Sequence, residues 1–127
     1  MKRPFQQIAV EREGDTFFVH IPNRRIDENG IHVLGGELTD LIAQDGCRRL
    51  VLSLGPGTLD CLYSVFLGKL VMVQRLLHQH EGVMVLHDVT PEVRSVFEAC
   101  QLQHFFEIAP DRASALAALA RKSPPPT

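Results

Sequence analysis

Hydrophobic and polar residues alternate along the first part of the chain. Within residues 8–21, Phe17, Val19 and Ile21 occupy every second position, so their side chains fall on one face of an extended strand. The Gly14-Asp15 pair interrupts the alternation and is typical of a tight turn. The pattern therefore predicts an opening β-hairpin.

The hydrophobic period changes to that of a helix after the hairpin. Asp27 is a suitable cap for a helix that ends near Gly46, and its apolar stripe consists of Ile31, Leu34, Leu38, Leu41 and Ile42. Three glycines interrupt this segment, and each interior glycine costs about 1 kcal/mol relative to alanine. We therefore expect packing, rather than intrinsic propensity, to hold this helix.

Two more elements follow in the middle of the chain. Leu50–Leu54 reads as a compact apolar strand, and a second helix is predicted from Ser64 to about His80. This helix is apolar almost all round, which predicts burial against both the sheet and a neighbouring helix. Gly82 is expected to end it, and Val83–His87 is predicted to form the next strand.

The last part of the chain predicts two further helices and one strand. Thr90-Pro91 is a strong helix start, because threonine caps the helix and proline fits its first turn. One face of that helix should carry Val93, Val96, Phe97 and Cys100. Phe105–Ile108 predicts a short strand, and Pro110-Asp111 opens an alanine-rich helix with Leu116 and Leu119 facing inward.

Strands that alternate with helices after a hairpin predict an α/β fold. We expect a mixed β-sheet with flanking helices in the order ββαβαβαβα, in which the later strands pair in parallel. One core should contain Leu52, Leu54, Leu70, Val85 and Phe97. Residues 1–122 are expected to form a single domain, and the proline-rich tail at 123–127 is expected to be disordered.

The composition is that of an ordinary globular domain, with 127 residues, 45% hydrophobic, 22% charged and a net charge of -2. This balance lacks the basic surface of a nucleic-acid binder. The longest unbroken apolar run has six residues, far below the ~20 that cross a bilayer. We therefore expect a cytoplasmic protein that binds neither nucleic acid nor membrane.

Cysteine and histidine spacing argues against a metal centre. Cys47, Cys61 and Cys100 are far apart and odd in number, so reduced, packed thiols are expected. His78 and His80 are two residues apart, and on a helix they point to different sides. The sequence thus predicts no metal site and calls for no cofactor.

Catalytic motifs are also missing from the sequence. Gly55-Pro56-Gly57 follows a strand, but Asp60 stands where a dinucleotide fingerprint has its third glycine, and the proline removes a backbone donor. A plain turn is the better interpretation. No nucleophile elbow and no pair of carboxylates in an apolar setting is present. We expect a protein that is not an enzyme.

Several strings resemble a known family, the STAS domains of the anti-sigma-factor antagonists. They are Arg49–Leu54 for the central strand, Ser64–Leu70 for the helix entry, and Gly82–Phe97 with Leu102 and Phe105–Ile108. The last string is the most telling, because that family runs from a glycine through an apolar strand to a proline-started helix, and then to a leucine and a short strand. The resemblance covers nearly the whole chain.

Regulated members of that family carry a serine that a partner kinase phosphorylates, usually within Asp-Ser-Ser-Gly-Leu-Gly. The corresponding segment here is Tyr63–Gly68, in which Ser64 takes the phosphorylated position. The resemblance implies a bacterial, non-enzymatic signalling module that regulates transcription and binds an anti-sigma factor or a serine-kinase-type partner. Tyr63, Ser64, Val65 and Gly68 are the implied contact residues, and Ser64 is the implied phosphorylation site.

Physical chemistry allows two interpretations of Ser64. As a helix cap, its hydroxyl would satisfy a first-turn amide, worth ~1 kcal/mol. As a switch, a phosphate would add negative charge at a helix start, where the helix dipole tolerates it. An exposed Tyr63 would suit a binding surface, whereas Val65 and Phe66 occur at spacings typical of a core.

Departures from the family pattern leave two alternatives open, since Tyr63, Val65 and Phe66 replace the usual Asp, second Ser and Gly. One alternative is a scaffold without phosphorylation that self-associates through the Cys61–Tyr63 edge, giving a homo-oligomer. The other is a domain that binds a small molecule or lipid in the groove beside the central helix.

Overall fold

A computed structural model of the chain describes residues 5–55, 57 and 59–122. The described part contains β1 (Ala9–Glu13), β2 (Thr16–His20), α1 (Glu28–Ala43), β3 (Arg49–Ser53), α2 (Tyr63–Gln79), β4 (Val83–His87), α3 (Pro91–Ala99), β5 (Glu107–Ala109) and α4 (Arg112–Lys122). This order confirms the predicted ββαβαβαβα sequence of elements. The tail at 123–127, for which disorder is expected, lies outside the described residues.

The five strands form one sheet in the order β1-β2-β3-β4-β5. The β1–β2 hairpin is antiparallel, and every later pair is parallel, which confirms a mixed sheet. Parallel strands end at the same edge of a sheet, so the loops that lead into the four helices meet at the carboxyl edge of β2 to β5. Ligands of open α/β sheets bind at this edge.

Helices lie on both faces of the sheet and create two separate cores. The larger core, packed by α1, α2 and α3, contains Leu52, Leu54, Leu70 and Phe97, as predicted. Val85 lies in the smaller core under α4, so the expectation that it joins the others was wrong. The reason is strand alternation: Leu52 is aligned with the residue after Val85, and neighbouring residues point to opposite faces.

Helices α1 and α3 begin with the side-chain caps that the sequence predicts. The Gly30 amide donates to Asp27 Oδ1 at 2.7 Å, and the Val93 amide donates to Thr90 Oγ1 at 3.3 Å. Each cap satisfies an amide that has no partner within its own helix. These two helix starts therefore carry their own local stabilisation.

The last two elements differ from prediction in detail. Strand β5 covers Glu107–Ala109, shifted from the predicted Phe105–Ile108. On α4, Leu119 is buried as expected, but Leu116 is exposed, and Ala115 and Ala118 face the sheet instead. Residues spaced by three and four share a helix face, so the small alanines let α4 approach the sheet closely and turn Leu116 outward.

The cysteines also correct an expectation. Cys47 is buried, Cys61 is partly buried and Cys100 is exposed at the end of α3. Cys47 is part of the larger core and Cys61 packs against it, so the expectation of packed thiols is wrong only for Cys100, which does not share the buried face of Val93 and Phe97.

Candidate functional site

The start of α2 lies on a surface built from two loops at the carboxyl edge of the sheet. A short bridge joins the loop before α1 to the loop before α2. The Ile26 amide donates to Asp60 O at 2.9 Å, and the Asp60 amide donates to Arg24 O at 2.8 Å. The entrances to α1 and α2 therefore form one continuous surface.

Arg24 holds this surface in place. Its guanidinium donates to Ile21 O at 3.1 Å, to Leu54 O at 2.6 Å and to Gly57 O at 3.2 Å. These carbonyls belong to the two loops, so one side chain bonds both of them. Hydrogen bonds from a charged donor are worth more than neutral ones, and Arg24 therefore positions the segment that leads into α2.

Helix α2 begins one residue earlier than the sequence predicts. Leu62 is its N-cap and supplies no side-chain cap, while its carbonyl accepts from the Val65 and Phe66 amides at 3.1 and 3.0 Å. Ser64 is thus the second residue inside the helix, and the interpretation of its hydroxyl as the cap was wrong. That hydroxyl is exposed and makes no hydrogen bond to the described part of the chain.

The start of α2 also differs in charge from the starts of α1 and α3. The first turn of α2 contains no acidic residue, whereas α1 and α3 have Glu28 and Glu92 there. Unpaired amides give a helix N-terminus a partial positive charge of about half an elementary charge. The start of α2 therefore keeps this positive end without a carboxylate in its own first turn.

Tyr63 is less exposed than a free contact residue would be. Its hydroxyl donates to Leu59 O, and its ring meets the Phe66 ring edge-on with centroids 6.3 Å apart. Burial raises the pKa of Tyr63, and the neighbouring Cys61 adds to that increase. Phe66 is fully buried, which confirms it as core. Tyr63 therefore fastens the loop to the helix.

Arg75, His78 and Gln79 are exposed toward the C-terminal end of α2, and the part from Tyr63 to Met72 exposes a ridge formed by Ser64, Gly68 and Met72. These residues are four apart and lie on one face of the helix. Val65, by contrast, is partly buried against the larger core. Ser64 has a small side chain and Gly68 has only a hydrogen atom there, so a partner can approach the helix backbone closely. We call these three residues the α2 ridge.

Two apolar residues that the sequence analysis missed extend this surface. Leu62 is 52% exposed at the N-cap of α2, two residues before Ser64, and Met72 is exposed at the far end of the α2 ridge. The i, i+4, i+8 spacing from Ser64 through Gly68 predicts Met72 as a member of the ridge. No such spacing identifies Leu62, because it precedes the helix.

Cys61 lies beside this surface without being reactive. Burial raises its pKa to about 11, and the Asp60 carboxylate contributes in the same direction. A thiol with so high a pKa stays protonated near neutrality, and only the thiolate is a good nucleophile.

A groove of about 550 Å³ runs beside the α2 ridge. Its lining includes Thr39 of α1 and Gly68, Val71 and Met72 of α2. None of its described lining residues is a buried polar side chain. The groove thus lacks the fixed polar groups that orient a small ligand.

Two absences concern only the part of the chain that the structure describes. Within it, no group of three or more His, Cys, Asp or Glu residues is placed to hold a metal ion. No described helix is both long enough and apolar enough to span a membrane.

Known proteins share part of this sequence and most of this fold. No family model matches the chain. The sequence is 40% identical over 73 residues to BtrV of Bordetella bronchiseptica, a protein assigned as an anti-sigma factor antagonist. That match covers 58% of this chain and 61% of BtrV, so the chain spans about three fifths of the relative that it matches.

Solved structures match over a longer part of the chain. An anti-sigma factor antagonist from Thermotoga maritima superposes with a TM-score of 0.79 at 18% identity, covering 90% of this chain and 95% of the other. SpoIIAA of Bacillus in its phosphorylated form gives 0.66 at 17% identity, covering 87% and 97%. These matches confirm the resemblance found in the sequence: the chain has the STAS fold of the anti-sigma-factor antagonists and is similar in sequence to a protein assigned as one of them.

Proposed function

We propose that this chain is a non-enzymatic regulatory module that binds an anti-sigma factor or a serine-kinase-type partner at the start of α2, and that phosphorylation of Ser64 switches this binding. One observation carries the proposal. Ser64 presents an exposed hydroxyl, without a hydrogen bond to the described residues, in the first turn of a helix that has no side-chain cap.

The chemistry of the switch is a phosphoryl transfer carried out by the partner. The Ser64 oxygen attacks the γ-phosphorus of ATP, ADP leaves, and the hydroxyl proton passes to a base of the kinase. The product carries about -1.5 to -2 charges at pH 7. The uncapped positive end of α2 accommodates this charge, so phosphorylation is expected to leave the fold intact.

The same charge opposes docking of a partner on the α2 ridge. A surface of Leu62, Ser64, Gly68 and Met72 suits close, largely apolar contact with a partner. Burying an unpaired phosphate in such an interface is unfavourable. Phosphorylation therefore separates the partner from this chain without unfolding either one.

The comparisons support this proposal at the level of protein class. BtrV is assigned as an anti-sigma factor antagonist, and SpoIIAA has been solved in a phosphorylated form. Both descriptions belong to those proteins. Their relevance here depends on Ser64, which occupies the exposed helix start that the geometry makes available.

The scaffold alternative is weaker on structural grounds. Self-association through the Cys61–Tyr63 edge requires an apolar surface, but Tyr63 is tied to Leu59 and Cys61 is partly buried. Leu62 is the large hydrophobic side chain that this edge exposes. A single leucine is far smaller than the surface that stable dimers bury.

Photo-crosslinking in the source cell tests the docking surface. A photoreactive amino acid at position 68 on the α2 ridge should capture a protein with an anti-sigma or serine-kinase domain, identified by mass spectrometry. The same amino acid at Leu116, exposed on α4 at the opposite face, is the control. Capture of a second copy of this chain at position 68 would support the scaffold, and equal capture at both positions would contradict the proposed surface.

Binding of the captured partner then tests the switch. Ser64→Asp should weaken binding by ~1 to 3 kcal/mol, because it places a charge in the interface. Ser64→Ala should keep full affinity but should not be phosphorylated by the partner with ATP. Ser95→Asp, on the exposed part of α3, is the matched control and should bind like wild type. Equal affinity of wild type and Ser64→Asp would refute the switch.

A further inference from the structure

The sheet face beneath α4 carries a cavity away from the α2 surface. Its volume is about 410 Å³, and it is bounded by residues of β1, β2 and β3, by His87 at the end of β4, and by Arg112 at the start of α4. Helix α4 packs over β3, β4 and β5. The part of this face nearest β1 therefore stays accessible from outside.

Strand register places one row of side chains along the cavity. The row consists of Ala9, His20, Ser53, His87 and Ala109, aligned across all five strands. Adjacent strands are about 4.8 Å apart, so the polar part of the row, from one imidazole to the other, spans roughly 10 Å. The small Ala9 at the β1 end leaves space above the sheet.

An apolar floor lies behind this polar row. Phe18 and Val51 come two residues earlier on their strands, point to the same face and line the cavity. Arg112 forms a wall, since its guanidinium stacks over the Phe18 ring at 3.8 Å. The cavity therefore has an apolar part and a hydrogen-bonding end, which is the usual design of a small-molecule site.

At the polar end of the cavity, His87 has a buried ring nitrogen without a hydrogen bond. Its side chain is only 9% exposed. The buried Nδ1 lies 3.2 Å from Asp88 Oδ2 but does not form a hydrogen bond to it, and Nε2 makes none to the described residues. Ser53 Oγ accepts from the Gly55 amide at 3.3 Å and has two longer contacts as a donor, 3.4 Å to Gly55 O and to Asp88 Oδ2. Buried polar groups are normally bonded, so this end of the cavity can gain a hydrogen bond from a ligand.

The charges around the cavity limit the class of ligand. Arg112 pairs with Glu11 at 3.3 Å and with Glu13 at 2.7 Å, so its charge is already balanced by two carboxylates. Glu11 itself lines the cavity. An anion would therefore meet no unpaired positive side chain among the described lining residues, and it would lie near a carboxylate.

We propose that this cavity binds a small, uncharged aromatic molecule that carries one hydroxyl or N–H group. The ring packs against Val51 and beside the stacked Arg112–Phe18 pair, and the polar group bonds to His87 and Ser53. This site is on the opposite face of the sheet from the groove beside α2, and it is independent of the function proposed for Ser64.

Three probes of similar size test the ligand class by NMR on the full chain at pH 8. Phenol should give saturable shifts centred on His20, Ser53 and His87. Toluene, which lacks the hydroxyl, should bind at least about tenfold more weakly, the loss expected for one hydrogen bond. Benzoate should not bind. Equal binding of toluene and phenol, or no saturation by phenol below about 10 mM, would overturn the proposal.

Variants then locate the site. Ala9→Leu fills the space above the row and should weaken phenol binding at least tenfold. His87→Phe keeps a ring but removes both nitrogens and should have a similar effect. His104→Phe, at an exposed histidine outside the cavity, is the control and should bind phenol as wild type does. Because Ala9 is at an edge strand, its variant should fold even where His87→Phe does not. Unchanged phenol affinity in Ala9→Leu would place the site elsewhere.

Discussion

Helices α2 and α3 both begin at the carboxyl edge of the same parallel sheet, but their first turns are stabilised in different ways. Helix α3 has a threonine cap, a proline in the first turn and the acidic Glu92. Helix α2 has none of these and is held by Arg24 from the loop before α1 and by its own Tyr63, whose hydroxyl donates to Leu59 O. Local capping satisfies a helix start, whereas support from neighbouring loops leaves that start open for contact with other molecules.

Removing Arg24 tests the external support most directly. Arg24→Met should lower the free energy of unfolding by about 2 to 3 kcal/mol, because three carbonyls lose a charged donor. Urea denaturation measures the change. Arg25→Met is the matched control: Arg25 makes an exposed ion pair with Asp60 at 3.3 Å, so its loss should be below about 1 kcal/mol. Equal losses for both variants would show that Arg24 does not hold the loop.

The reactivities of Cys61 and Cys100 give a second comparison between α2 and α3. Cys61 precedes α2 and has a pKa raised to about 11, whereas Cys100 is exposed at the end of α3. Iodoacetamide at pH 8 should therefore modify Cys61 at least about tenfold more slowly than Cys100, since each pKa unit lowers the thiolate fraction tenfold. The rate at Cys61 should rise with pH up to about 11. Peptide mapping over time measures both rates.

The two hydroxyls at these helix starts should differ in their contribution to stability. Thr90→Ala removes a cap and should lower the free energy of unfolding by ~1 kcal/mol. Ser64→Ala removes a hydroxyl without a hydrogen bond to the described residues, so its effect should stay within about 0.5 kcal/mol. Thermal melts of both variants check this difference. A loss of ~1 kcal/mol at Ser64 would restore the capping interpretation.

Adding a cap to α2 should give the smallest change in stability. Leu62→Asp places a carboxylate at the N-cap, where it should raise the free energy of unfolding by about 0.5 to 1 kcal/mol. The same change removes an exposed leucine from the docking surface and adds a charge, so partner affinity should fall. Leu62→Asn is the neutral control for the cap. A variant with higher stability and unchanged affinity for the partner would show that the partner does not contact Leu62.

Periodicity in the sequence was enough to predict most of the fold. Asp27 and Thr90 act as caps because both are followed by regular helical patterns with no competing start nearby. The start of α2 was harder, because Leu62, Tyr63 and Ser64 provide no capping box. The helix begins at Tyr63 since the tertiary contacts of Tyr63 and Arg24 fix the chain there, and propensity alone does not contain those contacts.

Helices pack on both faces of the sheet, and this explains why Val85 was assigned to the wrong core. An apolar strand such as Val83–His87 reads as one hydrophobic run, so the sequence does not say that Val85 and its neighbours serve different cores. Side chains alternate between the two faces of a sheet, so assigning one buried residue of a strand to a face also assigns the other residues of that strand. The same alternation predicts that His20, Ser53 and His87 lie on one face. The sequence does not show that they are neighbours, because that depends on how the strands are aligned with one another.

Arg112 joins the last helix to the first strand of the part that the structure describes. The contacts with Glu11 and Glu13 connect residues 101 and 99 positions apart, and the smaller core under α4 draws on β2, β3, β4 and β5. During synthesis on the ribosome, the larger core can assemble from the first four strands and their helices, while the opposite face stays bare until α4 emerges. The nascent chain therefore passes through a stage in which the apolar residues of the smaller core are exposed to solvent, and exposed apolar surface of this kind is prone to aggregation.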